Sequence, residues 1–165
     1  MTTPSSPERP SDREIVVSRI VAAPRELVWE VWTNPEHVAK WWGPRGFTTT
    51  IERMDLRPGG VWKHVMRGPD GTEYPGTSVF REVLKPKRIV LAHSGGKAGG
   101  PGVQFVGTWT FEAVGPNQTR VTIRMEFKTP DDCETVIKVY GAIEGGKQTL
   151  ERLDGYLPSV QAGGR

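Results

Sequence analysis

The sequence predicts an α+β fold, a curved antiparallel sheet of about seven strands wrapped on a long C-terminal helix, with two short helices after the first strand. Three observations carry this expectation. Between Phe47 and Phe127 the chain runs through strand-like segments separated by turns short enough for hairpins. Pro24 and Pro35 each stand at the start of a short apolar-striped segment, as helix-initiating prolines do. Thr129-Pro130-Asp131-Asp132 combines a capping residue, a first-position proline and first-turn acids, a strong helix start.

Glu14 to Ala22 is β-branched and reads as the first strand. Leu27, Val28, Val31 and Trp32 then form an apolar stripe at helical spacing, and Asn34-Pro35 ends that helix and opens the next. The second helix runs into Trp41-Trp42 and is stopped by Gly43-Pro44. Strands follow at Phe47–Leu56, Val61–Met66, Thr72–Leu84, Arg88–His93, Val103–Ala113 and Arg120–Phe127. The turns between them include Arg57-Pro58-Gly59-Gly60, Gly68-Pro69-Asp70-Gly71, Lys85-Pro86-Lys87 and a glycine-rich loop from Gly95 to Gly102. After Thr129, apolar positions at Val136, Tyr140, Ile143, Leu150, Leu153 and Leu157 share one helical face. A single domain over 14–158 is expected, with a disordered tail at 1–13 and a short tail at 159–165.

Composition narrows the function classes. The chain has 165 residues and a net charge of +3, and its basic residues are spread through strands and turns with no aromatic-interleaved cluster, so nucleic-acid binding is not expected. No apolar run is long enough to insert stably in a membrane, no secretory leader is visible, and the one cysteine, Cys133, suits a reducing cytoplasm. Cys133 sits in the first turn of the last helix among Asp131, Asp132 and Glu134, which oppose thiolate formation.

The order of elements, together with specific residues, resembles the START-like helix-grip (SRPBCC) superfamily. Within it, the chain looks like the family homologous to the C-terminal domain of the activator of Hsp90 ATPase. The carriers are Ala23-Pro24-Arg25-Glu26-Leu27-Val28-Trp29, Trp32-Thr33-Asn34-Pro35-Glu36, Trp41-Trp42-Gly43-Pro44, Arg57-Pro58-Gly59-Gly60, Met66-Arg67-Gly68-Pro69-Asp70-Gly71-Thr72-Glu73-Tyr74, and Glu82-Val83 with Pro86-Lys87-Arg88-Ile89-Val90-Leu91. The resemblance implies a curved sheet gripping the long helix over an apolar cavity. One departure stands out: many relatives carry a Gly-Trp pair in the last helix, and here Gly145-Gly146 stand there. With Gly141 the helix would hold three glycines within six residues, each costing up to about 1 kcal/mol relative to Ala. Close backbone packing or space left for a ligand would offset that.

Gly141 to Lys147 approaches a phosphate-binding loop, but Gln148 replaces the required hydroxyl residue, and the glycine-rich loop lacks dinucleotide spacing; no cofactor is expected. On one strand Trp62, His64 and Met66 share a face by period two, and on another Ile89, Leu91 and His93 do so. Lys63 on the opposite face argues that Trp62 and His64 point inward. The histidines could act as an acid–base pair or simply wall a pocket; no spacing supplies a metal set, so no metal ligand and no catalytic residue is assigned.

The favoured reading is a binder of a small hydrophobic or aromatic molecule, lipids included, between sheet and C-terminal helix. Trp41, Trp42 and Phe47 would shape its entrance; Trp62, Met66, Phe80, Trp109, Tyr140 and Ile143 would wall it; His64 and His93 would orient a polar group. A polyketide cyclase-like or hydrolase-like enzyme using His64 or His93 is the alternative. A co-chaperone-like module is the third, although contact with an Hsp90 homologue is not expected because only one domain is present. A homodimer is compatible with the sequence.

Overall fold

Alternation of apolar and polar residues builds most of this molecule, seen in a computed structural model that describes residues 6–97 and 99–163. The strands are β1 (Ser6–Glu8), β2 (Glu14–Val21), β3 (Thr48–Met54), β4 (Val61–Arg67), β5 (Glu73–Leu84), β6 (Arg88–Gly95), β7 (Val103–Gly115) and β8 (Gln118–Glu126). The helices are α1 (Arg25–Thr33), α2 (Pro35–Trp41), α3 (Pro130–Tyr140) and α4 (Ala142–Gly163). All strands join one antiparallel sheet in the order β1-β2-β8-β7-β6-β5-β4-β3. The α+β helix-grip expectation is met, with eight strands in place of about seven.

The sheet curls because extra residues enter it. Register shifts fall between Ile51 and Arg53 on β3, between Phe80 and Glu82 on β5, and between Ala113 and Gly115 on β7. Its concave face carries Ile15, Val17, Trp62, Phe80, Ile89, Leu91, Trp109, Phe111, Val121 and Ile123, all buried. Leu150, Leu153 and Leu157 of α4 close the core from the other side.

Three sequence expectations are corrected. The segment 6–8, expected in a tail, adds a short strand to β2, since an open sheet edge offers unpaired backbone groups to any adjacent extended chain; positions 1–5 of that expected tail lie outside the described residues. The long C-terminal helix is two helices. Gly141 adopts φ +61° in the left-handed region and caps α3, its N–H bonding to Ile137 O, so it is a helix stop rather than an interior glycine. The second of the two passes Pro158 and reaches Gly163, where a tail from 159 was expected; 164–165 lie outside the described residues. The helix start at Thr129 is as read: its side chain accepts from Asp132 N.

Candidate functional site

A cavity of about 210 Å³ opens between the concave sheet and the α3–α4 junction. Its wall is built strand by strand from period-two positions: Trp62, His64 and Met66 on β4, Tyr74, Gly76 and Ser78 on β5, Leu91 and His93 on β6, Val103, Phe105 and Trp109 on β7, and Ile123 and Met125 on β8. Val136, Tyr140, Ala142, Gly145, Gly146 and Thr149 of the two helices face them, and the Trp42-Gly43-Pro44 turn closes one side.

The polar groups on this wall are few and specifically placed. His64 is 3% exposed and stacks on Trp62, ring centroids 4.1 Å apart and 18° from parallel. Its Nδ1 is buried and has no hydrogen-bond partner, and neither has Trp62 Nε1. His93 Nδ1 and Ser78 Oγ share a hydrogen bond of 2.8 Å across the β5–β6 pair. The two imidazoles approach to 6.1 Å over Gly76, where a Cβ would come within 2.8 Å of His93 Cε1 and 3.0 Å of His64 Cε1. Only glycine at this strand position leaves room for both rings. Burial, and secondarily the neighbouring His93, pushes His64 down to about 3; burial pushes His93 down to about 4. Both rings are therefore neutral at pH 7. Among the described residues no Asp, Glu, Lys or Arg lines the cavity, and no group of three or more His, Cys, Asp or Glu is placed to hold a metal ion.

The helical side is held by its own contacts. Arg152 donates to the carbonyls of Lys40, Trp42, Gly43 and Pro44, fastening the tryptophan turn to α4. Tyr140 Oη donates to Pro101 O at 2.6 Å and accepts from Lys97 N at 3.1 Å, tying the glycine-rich loop to the end of α3. Gly146 takes up tight packing, since a Cβ there would meet Val17 Cγ2 at 3.2 Å, while Gly145 has only Pro44 nearby at 3.4 Å.

Of the residues named from the sequence, Trp42, Trp62, His64, Met66, His93, Trp109 and Tyr140 meet on this wall. Trp41, Phe47, Phe80 and Ile143 lie off it. Trp41 is 1% exposed and packs against Trp32 with its Nε1 donating to Val31 O, which holds its ring on the α1 side, while Trp42 goes on to reach Trp62 and the cavity. Phe47 lies against Tyr74, outside the cavity. Phe80 faces inward but is fully packed in the core, and Ile143 packs on the core beside the lining residues Ala142 and Gly145. Tyr74, Gly76, Ser78 and Phe105 were missed, although carrying the alternation back from Phe80 and Trp109 reaches all four.

A curved sheet gripping a C-terminal helix over an internal cavity defines the START-like helix-grip class. The sequence pattern of the activator of Hsp90 ATPase homolog 1-like proteins matches residues 22–158, and the chain belongs to that family. No curated protein sequence matches it significantly. Solved structures that it resembles include a crystal structure from Nitrosomonas europaea, 28% identical, with TM-score 0.78, covering 93% of this chain and 99% of that one. A solution structure from Arthrobacter aurescens is 24% identical, with TM-score 0.84 and coverage of 93% and 91%. A crystal structure from Mycobacterium smegmatis is 24% identical, with TM-score 0.81 and coverage of 95% and 97%. No helix of the described residues is long and apolar enough to cross a membrane.

Proposed function

We propose that this protein binds a small apolar molecule of one or two rings in the cavity between sheet and helices. The observation that carries the reading is a void of about 210 Å³ with an aromatic wall, set beside a core of buried side chains. Benzene occupies an apolar cavity of about 150 Å³, so the space here suits a slightly larger ring system and is too small for a two-chain lipid. The contacts of Arg152 and Tyr140 support the reading further, because they hold the rim against collapse.

The test is a thermal-shift screen of monocyclic and bicyclic aromatic compounds and of single-chain fatty acids. A ligand that binds only the native state stabilises it by about 2.7 kcal/mol at a hundred times its Kd. Ring compounds should raise the melting temperature, and the increase should vanish in Gly145→Trp, which puts an indole at a lining position where a Cβ meets only Pro44. A screen of ring compounds without a single stabiliser would remove the proposal.

One contact supports a second reading, acid–base chemistry at His93. Its bond to Ser78 fixes the ring and leaves the other nitrogen for a substrate. Against it stand its lowered basicity and the lack of a lining carboxylate to orient it. Turnover that disappears in His93→Gln, with ligand binding retained, would establish it.

A further inference from the structure

His93 stands on the cavity wall with one of its two nitrogens already committed. Its Nδ1 lies 2.8 Å from Ser78 Oγ, across the β5–β6 pair. Its Nε2 engages no described residue, and it is not sealed in the protein as Trp62 Nε1 and His64 Nδ1 are. The ring is partly exposed, whereas His64 is 3% exposed. Nε2 is therefore the nitrogen of His93 that a ligand in the cavity can meet.

Whether that nitrogen donates or accepts depends on Ser78. A neutral imidazole carries one proton, so one nitrogen donates and the other accepts. Ser78 is 0% exposed, and among the described residues its hydroxyl has His93 Nδ1 as its one partner. If Nδ1–H donated to Ser78 Oγ, the hydroxyl proton would be left buried without an acceptor, and such orphans are costly and rare. If Ser78 Oγ–H donates to Nδ1, the hydroxyl is satisfied and the imidazole proton sits on Nε2. Burial keeps the ring neutral at pH 7, so the form in which both nitrogens donate does not arise. A carbonyl oxygen only accepts and so matches an Nε2–H donor, while an N–H group brought to the same place would meet a second donor. Among the described residues no charged side chain lines the cavity, so an ion would lose its hydration there without a counter-charge.

We propose that Ser78 is a positioning residue that holds His93 in its Nε2–H form, and that the cavity therefore takes uncharged ring compounds through a carbonyl oxygen that accepts from His93 Nε2. The ligand class rests on the cavity-binding reading above; the proton's position rests on the Ser78 hydrogen bond alone. Two measurements at pH 7 test them separately. NMR correlation of the imidazole nitrogens with the ring protons, in the protein without ligand, reads which nitrogen of His93 is protonated. Calorimetric titration compares three bicyclic compounds of similar size: 1-indanone, which only accepts, indole, whose N–H only donates, and indane, which does neither. The spectrum should show the His93 proton on Nε2 in the unaltered protein and shared between both nitrogens in Ser78→Ala. The ketone should bind about tenfold tighter than indane, the factor one buried hydrogen bond supplies, and indole should gain nothing over indane. In Ser78→Ala the ratio of ketone to indane affinity should shrink, with the same spectrum showing that the variant is folded. A proton on Nδ1 in the unaltered protein, or one that stays on Nε2 in Ser78→Ala, would overturn the role of Ser78. Indole binding tighter than the ketone, or the ketone binding no tighter than indane, would overturn the carbonyl class. Failure of all three compounds to bind, with the proton on Nε2, would overturn the cavity-binding reading and the ligand class while leaving the Ser78–His93 assignment in place.

Discussion

The two ends of the space between sheet and helix are made from the same kind of side chain, yet one is solid and the other hollow. At the solid end Trp32 touches Trp41, Trp42, Trp109 and Phe111, with ring centroids 4.9 to 5.8 Å apart, and Trp29 meets Phe111 edge-on at 5.6 Å. At the hollow end Trp62, His64, His93 and Phe105 line a void. Trp42 and Trp109 form the border, each touching Trp32 on one side and Trp62 on the other. Aromatic content is thus no guide to where a pocket forms. The difference lies in what faces the rings: at the solid end more rings, and at the hollow end glycines at 76, 145 and 146 and a helix break at Gly141.

The strongest way to break this contrast is to hollow out the solid end. Trp32→Ala should cost about 3–5 kcal/mol in urea unfolding at pH 7, because the surrounding rings are held on β7 and at the end of α2 and cannot all close the gap. A smaller loss would mean that the cluster is less tightly packed than its ring distances imply.

Acid probes the hollow end next. His64 and His93 hold their protons less readily in the folded protein than in the unfolded chain, whose histidines titrate near 6.5. Above about pH 6.5 neither state is protonated and the two groups leave stability unchanged. As pH falls below that value the unfolded state takes up protons first, so stability is lost progressively toward pH 3–4. By pH 4.5 each buried histidine should have cost about 2.6 kcal/mol, because every proton that only the unfolded chain binds costs the fold about 1.4 kcal/mol for each further drop of one pH unit. The paired unfolding curves at pH 7 and 4.5 should converge in His64→Phe/His93→Phe; an unaltered acid slope in that variant would place the sensitivity elsewhere.

Filling the hollow end gives effects of opposite sign at two glycines. Gly76→Ala should destabilise by about 1–3 kcal/mol, since the new methyl would meet both imidazoles at 3.0 Å or less on a fixed strand. Gly145→Ala should instead stabilise by about 0.5–1 kcal/mol, because it lies in the interior of α4 with only Pro44 at ordinary contact distance. If both changes destabilised alike, the proposed division between close packing at Gly76 and free space at Gly145 would be wrong. Chemical unfolding of the two variants side by side decides it.

Much of the fold was legible because its determinants are local. Strand limits followed from β-branched runs between turn residues, the α3 start from Thr129 and Pro130, and the inward set on β4 from simple alternation against Lys63. What escaped depends on distant partners. Ser6–Glu8 has no strand-forming composition and becomes a strand only because β2 offers it an edge. Ser78 meets His93 only because the register slips between Phe80 and Glu82; an unbroken hairpin from the same turn would have set Ser78 opposite Ser94. Gly141 looked like a costly interior glycine and proved to be the residue that ends one helix and begins the next.

The sequence by itself determined which side chains face inward and where elements start and stop, because neighbouring residues settle these through backbone sterics and hydrogen bonding. It also carried the family, through the tryptophan turn and the proline-marked helices. The tertiary structure alone decided which inward aromatics touch each other and which face a void. Empty space is the difference between an enclosure formed by strands and helices far apart in the chain and the volume of the side chains it holds. A bulge on β5 and a stop at Gly141 set the shape of that enclosure, and only the folded chain brings them to the same place.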